Sequence, residues 1–327
     1  MKNFKITVVG GGTGTFVVLA GLKNYPVDLT AVITVADSGG STGRLRSEFG
    51  FLPVGDLRQS LAALAGNGDQ TLTKLLTYRF DRGLGLKGHN LGNLILTALR
   101  DLYGSEPKAL EKASSIFKIQ GRIIPVSLSK TSLGVIYEDG QKVYGEHEVD
   151  EPPFGGGKKI VRAFLKPPVG LYRQSQIALV EPDLLVFGPG DFYTSTLPCL
   201  LVSGVSRALR RSKAKICYVA NLMNRYSQSH KYKVSDYLSE FEKYTGRAVD
   251  YAIINTSKIP QRFYKVYSKE KATPVVNDVA SSKKMEVICG DFAQRSIFRR
   301  PSGDELKRSF FRHDSDKLAR ALIKILL

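Results

Sequence analysis

Residues 5–15 read Lys-Ile-Thr-Val-Val-Gly-Gly-Gly-Thr-Gly-Thr, a short apolar run that ends in glycines. An uninterrupted run of this kind suits a strand covered on both faces, as in a parallel sheet. Thr15 to Leu22 then follows helical spacing, and residues 28–36 repeat the apolar run with Leu29, Val32, Ile33 and Val35. Strand, glycine turn, helix and strand in that order form a βαβ unit. The missing side chains of the turn let backbone amides and a helix N-terminus approach phosphate oxygens. In G-x-G-x-x-G register, however, the third glycine falls on Thr15, and no Gly-Lys-Ser/Thr follows. The dinucleotide fingerprint is therefore imperfect and the Walker A pattern fails. On this loop alone, phosphate binding and a structural turn stand level.

Outward from that unit, residues 57–65, 72–78, 91–103 and 107–117 predict helices. Residues 122–149 change character: strands are expected at 123–127, 134–138 and 141–145, the last two flanking Asp139-Gly140, a pair suited to a type I′ hairpin turn. Pro152-Pro153, Gly155 to Gly157 and Pro167-Pro168 predict an exposed loop stretch. Further strands are expected at 184–187, 215–220, 251–255 and 287–289, with helices at 195–211, 235–244 and 315–327. The reading is one α/β unit over 1–327 with a β-rich insertion at about 122–170.

Composition narrows the class. Of 327 residues, 43% are apolar and 24% charged, which excludes disorder, collagen and coiled coil as the main organisation. No apolar run approaches the roughly 20 residues of a membrane-spanning helix. Met1 leads through Lys2 and Lys5 into the first strand without a cleavage-site pattern, so a cytoplasmic location is expected. Net charge is +18, and residues 1–150 hold 17 Lys/Arg against 14 Asp/Glu, which places the surplus in the C-terminal half. Basic stretches at 207–215 and 295–312 are read as solvated helix faces. Without an RNP-like motif or a zinc finger, nucleic acid is not an expected partner. Cys199, Cys217 and Cys289 lack C-x-x-C spacing and read as packed thiols, and four scattered histidines predict no metal site.

Five motifs carry polar chemistry. The second, after the glycine turn, is Ala-Asp-Ser-Gly-Gly-Ser-Thr-Gly-Arg over 36–44, at the carboxyl end of the second strand, where open α/β sheets bind ligands. Asp37 suits a ribose hydroxyl or a divalent cation, Ser38, Ser41, Thr42 and Arg44 suit phosphate, and Gly39 is expected in the same ligand-binding loop. The third comprises Gly55-Asp56-Leu57-Arg58 and Gly88-His89-Asn90-Leu91-Gly92-Asn93, each opening a helix. Asp56 and Asn90 also suit N-caps, the structural alternative. The fourth is Phe187 to Ser195, containing Gly188, Gly190, Tyr193 and Thr194, and the fifth is Asn221-Leu222-Met223-Asn224. No G-x-S-x-G elbow is present, which argues against serine nucleophile chemistry.

Taken in order, Gly10 to Gly14, residues 36–46, Gly55 to Arg58, Gly88 to Asn93, Gly188 to Ser195 and Arg312-His313-Asp314 resemble the CofD/YvcK family, nearest its gluconeogenesis-factor branch. The resemblance implies a Rossmann-like three-layer α/β/α fold with a mainly parallel sheet. It also implies a UDP-sugar ligand such as UDP-N-acetylglucosamine, held without obligatory turnover. The implied role is regulatory, in carbon metabolism, cell-wall precursor supply and cell shape, with a protein partner there and self-association both open. By position, Gly11, Gly12, Thr13 and Gly14 would line a first phosphate loop, Asp37 and Ser38 a second, and His89, Asn90 and Asn93 a third. Gly188, Gly190, Tyr193, Thr194 and Asn221 would close the far side, with Arg312 facing a diphosphate. The other branch, 2-phospho-L-lactate transferase, implies a nucleotide-activated donor and Mg²⁺ on Asp37 and Asp56, with Arg44 and Arg58 neutralising developing charge. The chain departs from the branch pattern at Asp191, where a serine is usual, and at residues 224–229.

Overall fold

The computed structural model describes residues 3–66, 70–294 and 310–327. Its N-terminal half runs β1 (Lys5–Gly10), α1 (Gly12–Leu22), β2 (Asp28–Ile33), α2 (Gly40–Phe49), α3 (Gly55–Leu64), α4 (Gln70–Thr77), α5 (Leu91–Tyr103), α6 (Glu106–Ile116) and β3 (Arg122–Pro125). The insertion follows with β4 (Ser132–Tyr137), β5 (Lys142–Tyr144), α7 (Glu146–Asp150) and β6 (Ile160–Lys166). The chain then returns through α8 (Arg173–Val180), β7 (Leu184–Phe187), a π-type turn at Phe192–Thr196, α9 (Leu197–Leu200), α10 (Val205–Arg211) and β8 (Lys215–Val219). It closes with α11 (Val234–Thr245), β9 (Tyr251–Asn255), α12 (Gln261–Lys269), β10 (Glu286–Gly290) and α13 (Ser315–Lys324).

Seven strands form one parallel sheet in the order β10-β9-β8-β7-β1-β2-β3. Successive strands leave β1 in one direction and, from β7 onward, in the other, so β1 and β7 flank a topological switch point. Strand periodicity assigns the two faces. Ile6, Val8, Leu184 and Val186 pack under α1, α3, α5, α6 and α13, while Val9, Leu185 and Phe187 pack under α9, α10 and α11. Both faces are covered, which is why the strands read as continuous apolar runs. The small antiparallel sheet, β5-β4-β6, adds Leu133, Val135, Tyr137 and Ile160 to the second of these cores. The architecture is therefore the three-layer α/β/α fold expected from the family resemblance.

Several local expectations are corrected. β3 pairs in parallel with β2 in the main sheet, so the insertion begins after Pro125 rather than at residue 122. Its loop stretch contains β6, whose Leu165 and Ala163 face inward despite flanking glycines and prolines. The β4–β5 turn is not type I′: only Gly140 has positive φ, at 84°. Gly140 N donates to the Tyr137 carbonyl and Tyr137 N to the Gln141 carbonyl, the pattern of a three-residue loop with a glycine bulge. The helix expected over 195–211 is broken at Ser203-Gly204, where Gly204 takes φ 105°. Cys289 is exposed, because β10 is an edge strand. The basic side chains Arg207, Arg210 and Arg211 on α10 are solvated, and most of the 295–312 stretch lies outside the described residues. Among the described residues no helix is long and apolar enough to cross a membrane.

Candidate ligand-binding site

The carboxyl ends of β1 and β7 open into one cleft. From the β1 side come Gly12, Thr13 and Gly14 at the N-terminus of α1, and from the β7 side come Gly190, Asp191 and Thr194. The two loops touch so closely that only glycine fits between them: a Cβ on Gly14 would overlap the Pro189 carbonyl. Gly12 adopts φ 65°, which any other residue would adopt at a cost. Four amides in the first turn of α1 lack helical partners, so this end of the helix is suited to an anion.

Asp37, Gly39 and Asp56 line the cleft from the β2 side. Asp37 Oδ1 accepts from Gly39 N at 2.9 Å, a local turn that fixes the carboxylate at the strand end. Asp56 is in the first turn of α3 rather than at the cap, which Val54 occupies. Asn221 closes the β8 side, donating Nδ2 to the Gly190 carbonyl at 2.6 Å. Its Oδ1 is buried without a hydrogen-bond partner. Arg312 enters from the segment before α13, beside His313. The His313 ring donates to the Ala220 carbonyl, and burial pushes its pKa down to about 4, which keeps it neutral.

Other expected site residues stand behind this lining. Gly11 has no room for a Cβ, which would overlap Asp56, and a Cβ on Gly188 would fall 2.8 Å from the Val219 carbonyl. Ser38 is a helix cap: its Oγ accepts from the amides of Glu146 at 2.9 Å and His147 at 3.3 Å. Asn90 caps α5, accepting from Asn93 N. Asn93 joins two motifs, with Oδ1 accepting from Arg58 Nε at 2.9 Å and Nδ2 donating to Ser41 and Thr42. His89 Nδ1 lies 3.2 Å from Ser41 Oγ, so the Gly88–Asn93 half of the third motif braces α2 instead of lining the cleft. Arg58 is buried and also donates to the Leu76 carbonyl, and exposed Arg44 reaches the Lys87 carbonyl. Neither guanidinium lines the cleft, so neither is placed to neutralise charge there. Tyr193 turns into the core, its hydroxyl 2.9 Å from that of Tyr232.

The sequence reading missed an acidic wall. The short helix α7 carries Glu146, His147 and Asp150 from the insertion into the cleft. Burial raises the Glu146 carboxyl well above its usual range, reinforced by Asp37, Asp56 and Asp150. Asp150 accepts from Thr194 Oγ1 and Gln228 Nε2, and burial lifts its pKa to about 7 against the opposing pull of Arg225. On the far side, Arg225 pairs side-on with Asp191: Nη2 stands 2.8 Å from Oδ2 and Nε 3.0 Å from Oδ1. Tyr267 of α12 and Glu270, its C-cap, complete the rim. A five-residue acidic run after a hairpin carries no period by which its destination could be read.

The chain has counterparts among known proteins. The family profile described as "2-phospho-L-lactate transferase CofD" matches residues 6–293. A putative gluconeogenesis factor of Thermotoga maritima is 38% identical over 98% of this chain and 99% of its own length. The gluconeogenesis factor of Bacillus subtilis is 36% identical over 98% of each chain. A crystal structure of a UPF0052-family protein from Bacillus halodurans superposes with a TM-score of 0.88 at 35% identity, covering 99% of both chains. With the profile spanning most of the chain and curated relatives aligned end to end, this protein belongs to the CofD family and, within it, to the gluconeogenesis factors.

Proposed function

We propose that this protein is a cytoplasmic regulator that binds a nucleotide-sugar of the UDP-N-acetylglucosamine class without turning it over. The observation that carries this reading is the meeting of the α1 N-terminus with Gly190 at the β1/β7 switch point, in a cleft that Arg312 also lines. Backbone donors and a guanidinium lining one cleft suit a diphosphate. The unpartnered Asn221 Oδ1 and the neutral His313 ring supply acceptors suited to the hydroxyls or imide of a nucleoside sugar. The family membership supports a role in carbon metabolism, and the sequence resemblance extends it to cell-wall precursor supply and cell shape. The test is thermal denaturation with UDP-N-acetylglucosamine, GDP and NAD. A stabilisation selective for the UDP-sugar supports the reading, and its absence refutes it.

The acidic lining favours a second reading, a transferase using a nucleotide-activated phosphoryl donor. Asp37 and Asp56 both line the cleft, and Mg²⁺ is commonly held by one or two carboxylates together with substrate phosphates. These two carboxylates fit that arrangement, although no group of three acidic, His or Cys ligands converges among the described residues. Bound there, Mg²⁺ would neutralise phosphate charge. The chain's own residues would orient the donor through the α1 amides and Arg312. A metal-dependent product that Asp37→Asn abolishes would favour this alternative.

A further inference from the structure

Any anion entering the cleft meets an unfavourable field over much of its wall, because carboxylates outnumber cations there. Arg225 and Arg312 are the only Lys or Arg side chains among the described residues that line it. The sequence predicts Arg312 in this role, whereas Arg225 stands in the 224–229 stretch that departs from the branch pattern. Arg225 reaches the wall from the loop after β8, where Arg225 N donates to Ser229 Oγ at 3.1 Å. Asp191, at the start of the π-type turn after β7, holds the guanidinium by its Nε edge. The two side chains retain 20% and 19% exposure, so the pair is mostly shielded yet borders the cleft. Such a side-on pair fixes the plane of the guanidinium, whose five donors are set in a rigid fork.

We propose that Arg225, with Asp191 as its positioning residue, is an anion contact of this cleft that binds the phosphate groups of the ligand. The proposal rests on the nucleotide-sugar reading. An arginine held on one edge by a carboxylate keeps its cationic plane ready for a phosphate without losing side-chain entropy on binding. Lysine at this position would supply charge without the fork. Asp191 and Arg225 lie on different loops, so their pairing also joins the β7 and β8 sides of the cleft.

Calorimetry with the full chain tests this, using UDP-N-acetylglucosamine and, by ligand-observed NMR, uridine, which has no phosphate. Arg225→Gln is expected to weaken UDP-N-acetylglucosamine on the order of 10- to 100-fold, as for loss of a charged hydrogen bond, and to leave uridine unchanged. Arg225→Lys, which preserves charge if Arg225→Gln fails to fold, is expected to lose less. Asp191→Asn is expected to weaken the nucleotide-sugar while sparing uridine. Equal losses for both ligands would make the pair a structural clasp and overturn the assignment. So would unchanged affinity for UDP-N-acetylglucosamine in the Arg225 variants. A wild-type chain that binds neither ligand would instead overturn the nucleotide-sugar reading on which the proposal stands.

Discussion

Asp191 and Arg225, separated by 34 residues, share two hydrogen bonds of 3.0 and 2.8 Å and tie the loop after β7 to the loop after β8. The attraction of Asp191 raises the Arg225 pKa further, so the guanidinium stays charged at every accessible pH. Removing either partner leaves a shielded charge without its hydrogen-bonded counterion. Asp191→Asn and Arg225→Gln are each expected to cost about 1.5–3 kcal/mol in urea unfolding, with the double variant losing less than the sum. Strict additivity would mean that the pair contributes nothing to stability.

The contact of Gly14 with the Pro189 carbonyl makes a sharper steric prediction. Gly14→Ala forces the loops after β1 and β7 apart and is expected to destabilise by about 1–3 kcal/mol, as overpacking does. Gly170 has open space where a Cβ would go, so Gly170→Ala is expected to leave the melting temperature unchanged or slightly higher. Equal effects of the two substitutions would contradict the close loop packing.

Tyr193 separates core from site. Its hydroxyl bonds to Tyr232 in a buried layer that also holds Tyr237 and Phe241. Tyr193→Phe is therefore expected to cost about 1 kcal/mol in stability while leaving ligand affinity unchanged. A drop in affinity without a drop in stability would return Tyr193 to the ligand.

Asp150 gives the fold a pH signature. Its carboxyl titrates at about 7 in the folded chain against the ordinary 3.8. The folded state thus holds a proton that the unfolded chain releases, and this group's contribution to stability declines as pH rises from about 4 to about 7, then levels off. Asp150→Asn removes that decline. The melting temperature of the variant relative to wild type is expected to climb over this window and stay flat above it. A difference independent of pH would show that Asp150 is not held protonated.

The legible parts of the sequence were those governed by local chemistry. The apolar runs at Ile6 to Val9 and Leu184 to Phe187 required buried strands, and the glycines after them required tight turns, so these strands and the two loops that follow them were legible, while the pairing of β7 beside β1 was not. What stayed hidden depends on contacts distant in sequence. Asn93 reads as a ligand donor until Arg58 and Ser41 are seen to satisfy it. Ser38 reads as a phosphate contact until α7, more than 100 residues later, brings its amides to that hydroxyl. The acidic wall was invisible for the same reason: Glu146 and Asp150 reach the cleft on an insertion that meets the 226–227 segment through Gly157 N to the Tyr226 carbonyl and Tyr137 Oη to the Ser227 carbonyl.

The most direct measurement is a calorimetric titration of the full chain with UDP-N-acetylglucosamine, with and without Mg²⁺, followed by chromatography of the recovered ligand. The account predicts saturable binding at one site in both conditions, tighter than for GDP or NAD, and an intact nucleotide-sugar afterwards. No binding of the UDP-sugar, together with Mg²⁺-dependent binding of GDP, would contradict it.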